Sequence, residues 1–357
     1  MKADFTSKLI KWQRDHNTRS MPWKGEKDPY KIWLSEIILQ QTRVEQGLSY
    51  YENFISAFPT IRHLAKAADN KIFKMWEGLG YYTRCKNLIA TARLIDKEKK
   101  GKFPDTYEAI LELKGIGPYT AAAIASFAFN LPHAVLDGNV FRVLTRYFGI
   151  STAIDSHDGK KLYARIAHRL LDKKQPGIYN QAIMDLGAVI CKPQQPLCKQ
   201  CPQNKDCQAF RHDWIKLLPV KEKHLIKKTR WLFYFVVNVN DEVLVRKRAA
   251  KDIWENLYEF VLYENDQSFI ADEKTIQQVC KKLFGKKTVK IKAVSEVYNQ
   301  QLTHQTIVGQ FIELEMESVP ASLTGYQLIR KTMLKKYPFP KLIAFYLQQQ
   351  SKPLQLF

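Results

Sequence analysis

The chain runs to 357 residues, 45% of them hydrophobic and 12% aromatic, which supplies two packed domains and excludes a globally disordered protein. No stretch approaches the ~20 apolar residues that span a bilayer, and Met1–Arg19 is polar without a signal-like apolar core, so a cytoplasmic chain in a reducing setting is expected, with no membrane partner. The formal net charge of +21 points to a polyanion; a solvated basic surface would give the same number, but the basic clusters (Lys97–Lys102, Lys221–Lys228, Lys281 and Lys282, Lys286 and Lys287, Lys335 and Lys336) sit in segments that read as folded, not in a tail.

Residues 1–215 read as a helical domain. Asp28-Pro29 is a cap followed by proline at the first helical position, and Ile32–Gln41 continues as a helix with Leu34, Ile37, Ile38 and Gln41 on one face. Glu36 sits inside that apolar run. It is either a surface glutamate at the polar edge of the helix or a buried acid whose pKa is raised. Further helices are predicted at 48–58, 69–78, 84–98, 106–113, 118–129, 139–147, 159–172 and 178–190, with Gly78-Leu79-Gly80-Tyr81-Tyr82 as a turn carrying aromatics.

In Leu113-Lys114-Gly115-Ile116-Gly117-Pro118-Tyr119, Gly115 and Gly117 allow a tight turn and close backbone approach, and Pro118 opens a helix whose first N–H groups can face a phosphate. Asp137, in Val135-Leu136-Asp137-Gly138-Asn139-Val140, reads by itself as a helix cap.

Cys191, Cys198, Cys201 and Cys207 form C-x6-C-x2-C-x5-C. Four thiolates so close in a reducing compartment read as a metal or cluster site, not as two disulfides. Zinc and a [4Fe–4S] cluster both accept four thiolates; one short knuckle with two longer loops suits the cluster better. Cys85 and Cys280 are isolated and read as buried small hydrophobes.

Residues 216–230, charged and holding Pro219, read as a linker. Strands are expected at 231–239, 243–245, 258–263, 289–297 and 307–314, with helices at 273–284 and 339–349, giving an α+β domain over 231–350.

These motifs together resemble the helix-hairpin-helix glycosylases of the endonuclease III superfamily, and specifically the MutY-type adenine DNA glycosylases; the resemblance covers nearly the whole chain. It implies an all-α helix-hairpin-helix domain with a [4Fe–4S] loop at its end, then a Nudix-like lesion-recognition domain. Cys191, Cys198, Cys201 and Cys207 would hold the cluster, with Lys192, Lys199 and Lys205 facing phosphate. The Trp33–Thr42 segment is similar to the one that supplies the family's general acid, making Glu36 that acid and Asp137 the ionised partner that stabilises an oxocarbenium-like sugar. Tyr119 and Asn139 would support them. Bifunctional relatives carry a lysine where Tyr119 stands, so the resemblance implies a monofunctional enzyme that uses water.

The implied substrate is adenine opposite 8-oxoguanine or guanine in double-stranded DNA, flipped from the stack. Gln41 and Tyr81 would fill or wedge the stack, Gly115 and Gly117 would approach phosphate, and Leu302-Thr303-His304 would contact 8-oxoguanine. Leu302 stands where the family more commonly has an aromatic residue. The helix over 275–285 carries Gln277, Gln278 and Lys282 in place of a glutamate cluster, so Nudix hydrolysis is not expected. A bacterial, nucleoid-associated monomer is implied.

Overall fold

The computed structural model describes residues 2–222, 227–249, 252–265, 267–268, 271–285 and 289–350. Lys286, Lys287 and residues 223–226 of the expected linker lie outside them. The chain divides into two units, Met1–Lys66 with Lys86–His224, and Ala67–Cys85 with Leu225–Phe357. Among the described residues no helix is long and apolar enough to cross a membrane.

The helices in chain order are α1 (Lys2–Asp15), α2 (Pro29–Leu39), α3 (Val44–Ala57), α4 (Ile61–Lys66), α5 (Asp69–Met75), α6 (Thr83–Glu98), α7 (Tyr107–Leu111), α8 (Pro118–Phe129), α9 (Gly138–Phe148), α10 (His157–Leu170), α11 (Pro176–Asp185), α12 (Gln208–Arg211), α13 (Glu273–Phe284) and α14 (Lys341–Gln350). In the first unit α2 is buried almost all round, because every residue from Ile32 to Ile38 is inside. α8 can pack on it closely because Ala121, Ala122, Ala123 and Ala125 leave little between the two backbones. A second core joins Phe5, Leu9 and Trp12 of α1 to Val140, Leu144 and Tyr147 of α9, Tyr163 of α10 and Tyr179 of α11.

The second unit carries β1 (Lys228–Val239), β2 (Glu242–Lys247), β3 (Tyr258–Glu259), β4 (Val261–Asn265), β5 (Lys290–Val294), β6 (Tyr298–Gln301), β7 (Gln305–Glu315) and β8 (Gln327–Arg330). They form a mixed sheet with the path β3-β2-β1-β7-β5; β4 also pairs with β1, β6 with β7 and β8 with β2. β1 and β7 run parallel, from Lys228 opposite Gln305 to Asn238 opposite Glu315; the other pairs are antiparallel. β1 is buried on both faces. Phe233, Phe235 and Val237 meet Ile276, Val279 and Cys280 of α13. Tyr234 stacks on Phe311, which stacks at 4.0 Å on Tyr346 of α14.

Several expected boundaries move. The helix at 69–78 stops at Met75. The helix at 178–190 is α11 followed by a π-helical turn, Leu186–Ile190. The run at 258–263 breaks at Phe260, because β3 pairs with β2 whereas β4 pairs with β1. The strand at 289–297 shortens to Lys290–Val294, and β1 begins at Lys228, inside the stretch read as linker. α1, α4, α12, β6 and β8 have no counterpart among the elements expected from the sequence. Cys85 and Cys280 are fully buried.

Candidate active site

Glu36 is only 7% exposed. It sits on α2, which Asp28 caps by accepting from the Tyr30 N–H at 2.9 Å. Burial of every residue from Ile32 to Ile38 removes the polar edge on which an ordinary glutamate would sit. Burial, first, and the nearby Asp137 charge push the Glu36 carboxyl up to about 7, while hydrogen bonding from Tyr119 opposes the rise. The Tyr119 hydroxyl is itself raised well above its usual range by burial and by the two carboxylates.

Asp137 is the N-cap of α9 and faces the same cavity. Its carboxylate accepts from the Val140 N–H at 2.7 Å and from Asn139 Nδ2 at 2.7 Å. Cap and candidate catalytic group are therefore one residue, and the two readings of it do not compete. Burial raises the Asp137 pKa; the donors at Val140 and Asn139 and the Arg142 charge pull the other way. Of the two carboxyls, Glu36 has the environment that favours a proton and Asp137 the one with two donors to its anion.

Glu36, Tyr119, Asp137 and Asn139 line one cavity of about 670 Å³ in the first unit. Gln41 lines it too, but not on the helical face expected of it. α2 ends at Leu39, and Gln41 takes a left-handed backbone with φ 56°. The sequence reading missed other lining residues: Met21 and Trp23 from a segment without regular structure, and Ile178 and Gln181 from α11. Irregular backbone has no periodicity to betray it.

Gly115 and Gly117 are exposed on either side of the buried Ile116, and the turn lies outside the cavity lining. Gly115 has φ 82°, and a Cβ there would meet the Asn87 side chain at 2.7 Å. Gly117 is extended at φ −99° and ψ 176°, and no side chain caps α8 there. A Cβ on Gly117 would meet nothing within 4 Å, so that side of the helix N-terminus is open to a ligand.

Tyr81, Leu302, Thr303 and His304 belong to the second unit. Tyr81 is 41% exposed and left-handed at φ 48°, held by the Arg84 guanidinium over the Trp76 and Tyr81 rings. Its hydroxyl hydrogen-bonds that of Thr303. Leu302 donates its N–H to Gln305 at 2.8 Å, closing the turn between β6 and β7. Gln41 and Tyr81 are two of nine non-glycine residues with positive φ among the described residues.

The four cysteines are free and half-buried. They follow the π turn and end at the N-cap of α12. Burial pushes the Cys201 thiol up to about 12, and the fields of Cys191, Cys207 and Cys198 contribute, so the four lie close enough to feel one another. Arg146 lies 3.6 Å from the Cys191 sulfur and donates to the Lys192 carbonyl at 2.7 Å. Among the described residues no three of His, Cys, Asp and Glu converge on a single-ion site. Four free thiols in one loop are a donor set that a metal or an iron–sulfur cluster accepts. Arg142 ties this loop to the cavity: it donates to the Cys191 carbonyl at 2.6 Å and to Asn139 Oδ1 at 2.8 Å.

Residues 34–171 match the family model described as the HhH-GPD superfamily base excision DNA repair protein, and residues 233–349 match that of the NUDIX domain. The chain is 36% identical over 258 residues to the adenine DNA glycosylase of Buchnera aphidicola subsp. Schizaphis graminum, covering 72% of this chain and 74% of that one. It is 34% identical over 308 residues to that of Buchnera aphidicola subsp. Baizongia pistaciae, covering 85% and 84%. The solved structure of a thermostable thymine-DNA glycosylase superposes with a TM-score of 0.55 at 29% identity, over 59% of this chain and 96% of that one.

Proposed function

The chain belongs to the adenine DNA glycosylase family, and from that premise we propose that it is a monofunctional hydrolase of the N-glycosidic bond of adenine paired with 8-oxoguanine or guanine in duplex DNA. The observation that carries this reading is the pair of carboxyls in one cavity, Glu36 pushed up to about 7 and Asp137 held by two donors to its anion. Adenine leaves poorly as an anion. Glu36 donates a proton to its ring nitrogen N7, the C–N bond breaks with its electrons going to the base, and the base departs neutral. The sugar carries the resulting positive charge, which the Asp137 carboxylate stabilises, directly or as a transient nucleophile. Water then completes the abasic product. Tyr119 supplies a hydrogen bond and no amine, so no imine to the sugar forms and the strand stays intact.

The reactive bond is inaccessible within a duplex, so the adenine is flipped into the cavity. Gln41 fills the gap and Tyr81 wedges beside the orphan base. The open N-terminus of α8 behind Gly115 and Gly117 takes a phosphate. Leu302, Thr303 and His304 read 8-oxoguanine, Thr303 through its hydroxyl. Cys191, Cys198, Cys201 and Cys207 would hold a [4Fe–4S] cluster, whose part would be structural, bracing the loop in which Lys192, Lys199 and Lys205 face DNA. The working division is a glycosylase domain over 1–215, a linker over 216–230 and a lesion-reading domain over 231–350, acting as a cytoplasmic monomer.

The test is base release from duplexes holding adenine opposite 8-oxoguanine, adenine opposite guanine, or thymine glycol. Release of adenine from the first two alone is expected. Release from the third alone would replace this reading with an oxidised-pyrimidine glycosylase, and binding without release would make the chain a lesion sensor.

A further inference from the structure

Asp185, the last residue of α11, is wholly buried and lies outside the cavity lining. Its Oδ2 accepts from Asn17 Nδ2 at 2.8 Å and pairs with Lys24 Nζ at 3.1 Å. Its Oδ1 accepts from Arg19 Nη1 at 2.8 Å and Gln181 Nε2 at 3.1 Å. Three of these donors come from the irregular segment that forms a cavity wall. That segment adds bonds of its own, from Lys24 Nζ to the Arg19 carbonyl at 2.8 Å and from the Arg19 N–H to Asn17 Oδ1 at 3.1 Å. We propose that Asp185 is a positioning residue for base selection: its carboxylate clamps residues 17–24 onto α11 and so sets the wall that Met21 and Trp23 present to the flipped base.

A buried carboxylate carrying two cations suits this work. An irregular loop lacks a helix or strand ladder to fix it, and a charge-assisted cluster supplies fixed geometry instead. Removing the anion leaves Arg19 and Lys24 without their common partner, which drives the loop toward solvent. The wall then moves, and displacement by about an ångström at a reacting group costs on the order of a hundredfold in rate. The proposal rests on reading the cavity as the adenine pocket.

Asp185→Asn, Asp185→Glu and Lys24→Met in the full chain provide the test, using single-turnover release of adenine and of hypoxanthine opposite 8-oxoguanine. For Asp185→Asn, adenine release should fall at least about tenfold and the adenine-to-hypoxanthine ratio at least about threefold, with duplex affinity nearly unchanged. Trypsin cleavage after Arg19 and Lys24 should accelerate. Loss of folded protein alone lowers both rates together and leaves the ratio untouched. Asp185→Glu, which keeps the charge, should recover part of the ratio, and Lys24→Met should lower it less than Asp185→Asn does; these two carry the test if Asp185→Asn does not fold. An unchanged ratio in the folded variants, or Asp185→Glu failing as fully as Asp185→Asn, overturns the proposal. If the wild type released no adenine while the variants still opened to trypsin, the pocket reading would fail and the clamp would stand.

Discussion

The Tyr119 hydroxyl donates to the Glu36 carboxyl within the cavity, and this bond is the main force opposing the burial that lifts Glu36 to about 7. The acid must be protonated and Asp137 ionised, so base release should decline tenfold per unit above about 7 and fall again at low pH as Asp137 takes up a proton. Tyr119→Phe removes an influence that lowers the Glu36 pKa, so the alkaline limb should move to higher pH. Single-turnover rates across pH 5–9 measure both limbs; a Tyr119→Phe limb displaced downward would contradict the assignment.

Glu36→Gln should abolish adenine release and make the protein more stable at pH 8. The sign follows from the raised pKa: the carboxyl favours folding below its ordinary value of 4.5, and that contribution is lost as pH rises through about 7. The neutral amide escapes the loss, gaining about 3 kcal/mol at pH 8 and little at pH 4. Urea unfolding at the two pH values reads the difference. Equal stabilities at pH 8 would mean that Glu36 is not ionised at the expense of the fold.

Asp137→Asn separates cap from catalyst. Asparagine caps a helix about as well as aspartate, so the bond to the Val140 N–H can persist and the thermal midpoint should barely change. The negative charge facing the sugar disappears, and release should slow by on the order of 10²–10³-fold with DNA affinity retained. Full turnover in this variant would take Asp137 out of the mechanism.

What the sequence disclosed and what it hid divide along physical lines. Glu36, Tyr119, Asp137 and the four cysteines lie in contiguous motifs, and the resemblance those motifs carry is what singled them out; Asp137 read by itself only as a cap. α2, α8 and α9 were legible because a cap or a proline starts each of them. Asp185 was not, because its partners Asn17, Arg19 and Lys24 are far away in sequence and meet it only through an irregular segment. β6 and β8 are short, largely exposed strands whose pairing with β7 and β2 decides their existence. Gln41 was misplaced because helical periodicity continues past the point where the backbone turns left-handed.

In the second unit, Thr303 and His304 stand in the turn between β6 and β7, with His304 exposed and the Thr303 hydroxyl already engaged by Tyr81. Replacing both by alanine deletes polar groups without removing the turn, which rests on the Leu302 N–H bonding the Gln305 carbonyl. Preference for adenine opposite 8-oxoguanine over adenine opposite guanine should shrink by roughly tenfold, the value of one or two hydrogen bonds. Competition between the two duplexes reads the preference directly. An unaltered preference would show that the lesion is recognised elsewhere.

Arg142 makes the last prediction because one guanidinium serves two sites. It donates to Asn139 Oδ1 at 2.8 Å, to the Gly187 carbonyl at 2.7 Å and to the Cys191 carbonyl at 2.6 Å. Holding the Asn139 oxygen leaves the amide nitrogen to face Asp137, the orientation that favours the Asp137 anion. Lysine keeps the charge but cannot span three acceptors lying in different directions. Arg142→Lys should therefore release the Asn139 amide, raise the Asp137 pKa, and move the acidic limb of the pH–rate profile upward. The cysteine loop loses a brace at the same stroke, so iron content should fall below the about four atoms per chain of an intact cluster. Visible absorption and the pH profile measure the two effects separately. If iron fell while the acidic limb stayed in place, Arg142 would brace the cysteine loop only, and the support of Asp137 would have to come from Val140 and Asn139 unaided.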